Sequence, residues 1–183
     1  MIIGVVGDNF SYNMGNLKTY TMTHCLYSDF LNGYKIFSTY GLNFPHTKLT
    51  CMGSLIKILK ECKNVSIGMD ELSVYFDAYA GVSKKTGTWY LKQFIRQTRK
   101  RGVKFYFTAQ TFDDIHKSIR RMCHEVWVSE KLDINMKPCI SDGCHAAHIQ
   151  KITNVKTGLT RYVMVNPEIF TLYDSDEIVE WED

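Results

Sequence analysis

The chain has 183 residues, 45% hydrophobic, 22% charged and 13% aromatic, a composition and size that fit one globular domain and exclude disordered, collagen-like and low-complexity classes. Its apolar runs, such as Met1–Ile3 and Val5–Val6, are a few residues long, and Gly4, Gly7 and Asp8 interrupt the apolar start. A bilayer span needs roughly 20 apolar residues and a signal peptide an unbroken apolar stretch, so a soluble intracellular chain is expected. The net charge of +3 hides an asymmetry: Asp174, Asp176, Glu177, Glu180, Glu182 and Asp183 crowd the last ten residues, leaving 22 bases against 13 acids, a net +9, over residues 1–173.

In chain order, Met1–Val6 reads as a buried strand ending at Gly7. Asp8–Asn16 is a polar loop, and Leu17–Leu31 a helix with Leu17, Met22, Cys25 and Leu26 as its inward stripe. Lys35–Thr39 is a second strand, Gly53–Glu61 an amphipathic helix burying Leu55, Ile56, Ile58 and Leu59, and Asn64–Met69 a third strand. A helix from about Thr86 to Lys100 sets Leu91, Phe94, Ile95 and Thr98 on one face, with Lys85, Lys92, Arg96 and Arg99 on another. Gly102 ends it, and the strand Val103–Thr108 follows. Phe112–Met122 reads as helix and Glu125–Val128 as strand. A Cys/His loop at 136–148 precedes a hairpin, Ile149–Asn154 and Thr160–Val165, turning at Lys156–Gly158, with the acidic tail after it. Strands alternating with helices predict an α/β fold with a mainly parallel sheet, in a single domain over 1–183.

Four groups of residues carry candidate chemistry. The first is Gly15-Asn16-Leu17-Lys18-Thr19, between strand and helix. A phosphate loop has this layout: backbone N–H groups surround the phosphates, lysine reaches the β and γ phosphates, and the hydroxyl binds Mg²⁺. Leu17 stands where G-x-x-x-x-G-K-[ST] has glycine, so the loop is atypical, and Lys18 and Thr19 also read as ordinary first-turn residues. The second is Asp70-Glu71 at the carboxyl end of a strand, where α/β sheets place ligand groups. One carboxylate there can hold Mg²⁺ and the next can act on the attacking water. The third is Gln110, after Tyr106-Phe107-Thr108-Ala109, whose amide can stand beside a γ-phosphate or simply occupy a loop.

The fourth is Cys139, Cys144, His145 and His148. The six cysteines (25, 51, 62, 123, 139 and 144) read as reduced thiols in a chain without an export signal. The cluster at 139–148 suits either a structural zinc or a polar loop with buried thiols, because its spacing is not C-x2-C. Between Lys84 and Arg121 eleven bases accompany two acids, Asp113 and Asp114. That excess suits a polyanionic partner or a solvated helix face.

Taken together, Asp70-Glu71, the basic stretch Gln97-Thr98-Arg99-Lys100-Arg101-Gly102 and Tyr106-Phe107-Thr108-Ala109-Gln110 resemble the FtsK/HerA superfamily of P-loop ATPases. The resemblance is closest to the small Zot-like and genome-packaging ATPases of archaeal viruses and mobile elements. Gly33–Ser38 and Ile169–Asp174 fit the same pattern. The resemblance implies a three-layer, RecA/ASCE-like P-loop NTPase that binds ATP and Mg²⁺ through Gly15, Asn16, Leu17, Lys18, Thr19 and Asp70. It makes Glu71 the catalytic glutamate and Gln110 the γ-phosphate sensor. It implies a ring, usually a hexamer, in which an arginine (Arg99, Arg101, Arg120 or Arg121) completes the neighbour's site, and a pore that moves double-stranded DNA. Lys84 and Lys85, with Trp89 following, are candidate pore contacts or an ordinary surface loop. Zot-like proteins of filamentous phages carry a membrane segment. Its absence here points to a packaging motor in the host cytoplasm or virion, with a capsid or portal partner. The alternatives are a hydrolysis-deficient nucleic-acid-binding module, a Zot-like extrusion ATPase, and a small kinase or nucleotidase.

Overall fold

The computed structural model describes residues 1–7, 17–61, 63–75, 94–139 and 148–174. Its strands are β1 (Ile2–Val6), β2 (Lys35–Ser38), β3 (Thr47–Lys48), β4 (Val65–Met69), β5 (Lys104–Ala109), β6 (Glu125–Leu132), β7 (Ile149–Asn154) and β8 (Thr160–Met164). They form one eight-stranded sheet in the order β3-β2-β4-β5-β1-β6-β7-β8. From β3 to β6 every pairing is parallel, and β7 and β8 continue the sheet antiparallel. β1 is buried along its whole length. A central parallel strand is covered on both faces, so neither face calls for polar residues.

The helices are α1 (Lys18–Leu31), α2 (Met52–Glu61), α3 (Leu72–Tyr75), α4, described at 94–98 and continuing into a 3-10 turn, Arg99–Arg101, and α5 (Lys117–Met122). Met22 and Leu26 of α1 pack with Ile3, Val5, Ile36 and Tyr106 on one face of the sheet. Leu55, Ile58, Phe94, Ile95 and Ile119 pack with Ile2, Val6, Ile67, Phe105 and Phe107 on the other. Ile2 and Ile3 thus enter different cores, as do Val5 and Val6, because successive strand residues point to opposite faces. The result is the three-layer α/β arrangement expected.

Two glycines set the closest approaches between strand and neighbour. A Cβ at Gly4 would stand 2.6 Å from the Phe107 ring, and one at Gly68 would stand 2.6 Å from Leu26 Cδ1. The far half of α1 is tied down by a buried carboxylate. Asp29 accepts hydrogen bonds from Ser66 Oγ at 2.8 Å, Tyr106 OH at 3.0 Å and Lys104 Nζ at 2.5 Å. On the hairpin side, buried Gln150 donates to Thr21 and Ser129.

Several boundaries differ from the sequence reading. The helix expected over 112–122 begins only at Lys117. Ahead of it the Thr111 amide donates to Asp114 Oδ2 at 2.8 Å, and the Asp114 amide to Thr111 Oγ1 at 3.3 Å. Such side-chain bonds hold the backbone in a turn. β6 runs on to Leu132 instead of stopping at Val128, because β7 pairs with it over Trp127–Leu132. Phe94, Ile95 and Thr98 are buried, and Gly102 ends that helix at φ +66°, as expected. Leu91, Lys84, Lys85, Lys92, Trp89, the 8–16 loop and the last nine residues lie outside the described residues.

After β8 the chain returns to α1. A 3-10 segment, Pro167–Leu172, opens with the Asn166 side chain accepting from the Glu168 amide. Ile169 and Val165 pack with Leu17 and Tyr20, the Asn166 amide donates to Tyr20 OH at 2.8 Å, and Tyr173 pairs with Leu42.

Candidate active site

Register assembles the site. Val6 is level with Ala109, and Met69 with Phe107. Gly7, Asp70-Glu71 and Gln110 therefore leave β1, β4 and β5 at one sheet edge, where the Gly7 amide donates to the Gln110 carbonyl at 3.1 Å. β5 lies between β1 and β4, which places Gln110 between the lysine helix and the acidic pair.

Leu17, preceding α1, has left-handed backbone with φ 57°. For a residue with a Cβ that costs roughly 1–2 kcal/mol, which is why glycine stands at this place in the phosphate-loop motif. Here the side chain compensates: Leu17 is buried with Tyr20, Val165 and Ile169. The substitution that made the loop look atypical is thus anchored by the returning C-terminal segment. Gly15 and Asn16 lie outside the described residues.

Lys18, only 9% exposed, donates from Nζ to Gln110 Oε1 at 2.8 Å and stands 3.8 Å from Glu71 Oε1. Gln110 Nε2 donates to the same Glu71 oxygen at 2.6 Å. Thr19 Oγ1 lies 3.2 and 3.1 Å from the two Asp70 oxygens. Adjacent oxygens around an octahedral Mg²⁺ at 2.0–2.1 Å stand about 3.0 Å apart, so this pair fits the ion. Burial pushes both carboxyls above the ordinary range. Hydrogen bonds from Thr108 and Thr19, then the Lys18 charge, pull Asp70 back. For Glu71 the Lys18 charge opposes burial, while Asp70 and Asp114 push the same way as burial. A lysine, a hydroxyl–carboxylate pair and a proton-accepting carboxylate share one edge beside the N-terminus of a helix. That arrangement can hold a metal-bound polyphosphate and take a proton from water.

The sequence reading missed two residues that build this edge, Thr39 and Thr108 as supports for the acidic pair. Both are fully buried. Thr39 Oγ1 accepts from the Asp70 amide at 3.0 Å. Thr108 Oγ1 accepts from the Glu71 amide at 2.8 Å and donates to Asp70 Oδ1 at 2.5 Å. The available signal was a threonine closing each strand, in both Lys35–Thr39 and Val103–Thr108.

The arginine candidates sit elsewhere. Arg99 and Arg101 precede β5, at the end opposite Gln110. Six strand residues put about 20 Å between those ends. Arg120 is paired with Asp113 at 2.5 Å and lies over the Phe112 ring, and Arg121 is exposed. Of the cysteine–histidine set, Cys144 and His145 lie outside the described residues. The Cys139 amide donates to Lys131 O, next to the Leu132–Pro138 bridge, while β7 occupies the other edge of β6 at the same residues. His148, which leads into β7, is therefore on the opposite side of that strand. Among the described residues no group of three or more His, Cys, Asp or Glu is placed to hold a metal ion.

The sheet order and the convergence of Lys18, Thr19, Asp70, Glu71 and Gln110 define a P-loop NTPase fold, and comparison with solved structures agrees. The N-terminal domain of zonular occludens toxin from Neisseria meningitidis matches with a TM-score of 0.62 at 14% identity, over 94% of this chain and 98% of that one. The genome packaging NTPase B204 from Sulfolobus turreted icosahedral virus 2, seen in complex with ATP-gammaS, matches at 0.57 and 9% identity, over 88% and 95%. The flagellar accessory protein FlaH from Methanocaldococcus jannaschii matches at 0.50 and 13%, over 84% and 77%. No curated protein sequence matches significantly. Residues 33–178 match the family described as zonular occludens toxin (Zot), and the chain belongs to that family.

Proposed function

We propose that this chain is an ATPase whose hydrolysis drives movement of double-stranded DNA, as in viral genome packaging. The observation that carries the reading is the meeting of Lys18, Thr19, Asp70, Glu71 and Gln110 at one sheet edge. In support, B204 is a genome packaging NTPase captured with ATP-gammaS, and bases exceed acids between Lys84 and Arg121.

In this reading Lys18 leaves Gln110 and Glu71 for the phosphates. Thr19 and Asp70 would hold Mg²⁺, which would supply charge neutralisation for the bound phosphates. Glu71, its carboxyl lifted by burial, accepts the proton of the attacking water. Its basicity is thereby nearer to neutral pH than that of an exposed glutamate. Gln110 orients Glu71. Arg99, Arg101, Arg120 or Arg121 reaches the site of a neighbour in a hexameric ring, consistent with the distance of Arg99 and Arg101 from their own site. The single-domain organisation, a capsid or portal partner, and a place in the host cytoplasm or virion belong to the same proposal. Among the described residues no helix is long and apolar enough to cross a membrane.

The test is Mg²⁺-dependent ATP hydrolysis with and without double-stranded DNA. DNA should raise the rate, and Glu71→Gln should lower it at least about 100-fold while nucleotide still binds. Full turnover by that variant refutes the role of Glu71. The second reading, a P-loop module that binds nucleic acid without hydrolysis, is favoured by left-handed Leu17 in the glycine position. DNA binding indifferent to ATP, with no turnover, selects it.

A further inference from the structure

We propose that Thr108 is a positioning residue for the acidic pair: its single hydroxyl fixes the backbone turn that brings Asp70 and Glu71 to the same site. This rests on the ATPase reading above and adds a residue to it. In a continuing strand, successive side chains point to opposite faces, so Asp70 and Glu71 could not both reach the lysine helix. The chain solves this at Glu71, whose φ of +47° is a left-handed conformation that residues with a Cβ rarely adopt. That turn lets Asp70 face Thr19 at 3.1 Å while Glu71 meets Gln110 at 2.6 Å and Lys18 at 3.8 Å.

The Thr108 hydroxyl touches both halves of the turn. As acceptor it takes the Glu71 amide at 2.8 Å, and as donor it binds Asp70 Oδ1 at 2.5 Å. One hydroxyl has one proton to give and lone pairs to receive, so both bonds are satisfied together. Thr39, at the end of β2 on the other side of β4, accepts the Asp70 amide at 3.0 Å. Asp70 is thus bracketed by hydroxyls from both flanking strands, whereas the Glu71 amide depends on Thr108.

The test compares Thr108→Val, which keeps the shape and loses the hydroxyl, with Thr108→Ser, which keeps the hydroxyl. Two quantities are read: hydrogen exchange of the Glu71 amide by NMR, without nucleotide, and kcat and KM for ATP. In the valine variant the Glu71 amide should exchange at least about tenfold faster, because its hydrogen bond is gone. Its kcat should fall about 10- to 100-fold with KM for ATP little changed, the signature of a displaced base. Serine should restore both. Retained protection at Glu71 in the valine variant, or a serine variant as impaired as valine, overturns the proposal. If the valine chain does not fold, Thr108→Ala against Thr108→Ser supplies the same contrast. A wild-type protein without turnover would defeat the ATPase reading alone, since amide exchange still decides what Thr108 does.

Discussion

Gln110 donates to Glu71 at 2.6 Å while its own carbonyl oxygen accepts from Lys18 at 2.8 Å. One amide therefore bridges Glu71 and Lys18, the base and the phosphate-binding cation of the proposed function. In the proposed function a phosphate at Lys18 competes with Gln110 for the ammonium, so Gln110 is placed to convey occupancy to Glu71. Gln110→Ala should lower ATP turnover about 100-fold, comparable with losing one preorganised hydrogen-bond donor. Nucleotide affinity should stay unchanged or improve, because Lys18 no longer has to leave the amide. Steady-state kinetics together with fluorescent-nucleotide titration would check this. Weaker binding with unaltered turnover would contradict the bridge.

Lys18 is nearly buried and already engaged. Lys18→Met keeps the stem and removes the charge. A hydrogen bond to a charged group contributes about 1.5–3 kcal/mol, so nucleotide affinity should fall about 10- to 100-fold, measured calorimetrically. An unaffected affinity would place the phosphates away from α1.

The acidic pair should make the ligand-free protein sensitive to pH. Burial raises the Asp70 and Glu71 carboxyls in the folded state, so folding takes up protons. The stability that this pair contributes is then fully present below the ordinary carboxylate value, about 4, and is lost as pH rises through the folded-state value. Asp70→Asn stays neutral and escapes the part due to Asp70. In metal-free buffer at about pH 7 it should melt at a higher temperature than wild type, with the gap closing below about pH 4. Mg²⁺ with nucleotide should raise the melting temperature of wild type more than that of the variant. A pH-independent gap would show that the ionisation of Asp70 is not its source.

Gly4 tests the packing of β1. Its substitution by alanine would place a Cβ 2.6 Å from the fully buried Phe107 ring. Overpacking of this kind costs about 1–3 kcal/mol, to be read from denaturant unfolding. A variant as stable as wild type would mean that the ring has room to move.

The strands were legible because a sheet buried on both faces writes mostly apolar runs broken only by small residues, as in Ile2–Val6 and Val65–Met69. The acidic pair and Gln110 were legible because each follows such a run directly. Thr39 and Thr108 were not seen as supports, since a threonine closing a strand looks the same whether its hydroxyl is solvated or aimed at a neighbouring turn. The two-residue β3 and four-residue α3 are too short for any periodicity to register. Leu17 looked like a defect because its compensation comes from Val165 and Ile169, far along the chain.

The returning segment gives the chain a lever. Tyr173 is clipped to Leu42, Asn166 to Tyr20, and Ile169 rests against Leu17. Tension applied near residue 174 would be delivered to the first turn of α1, one residue from the lysine, without crossing the sheet. Whatever grips that segment holds a mechanical handle on the start of the lysine helix.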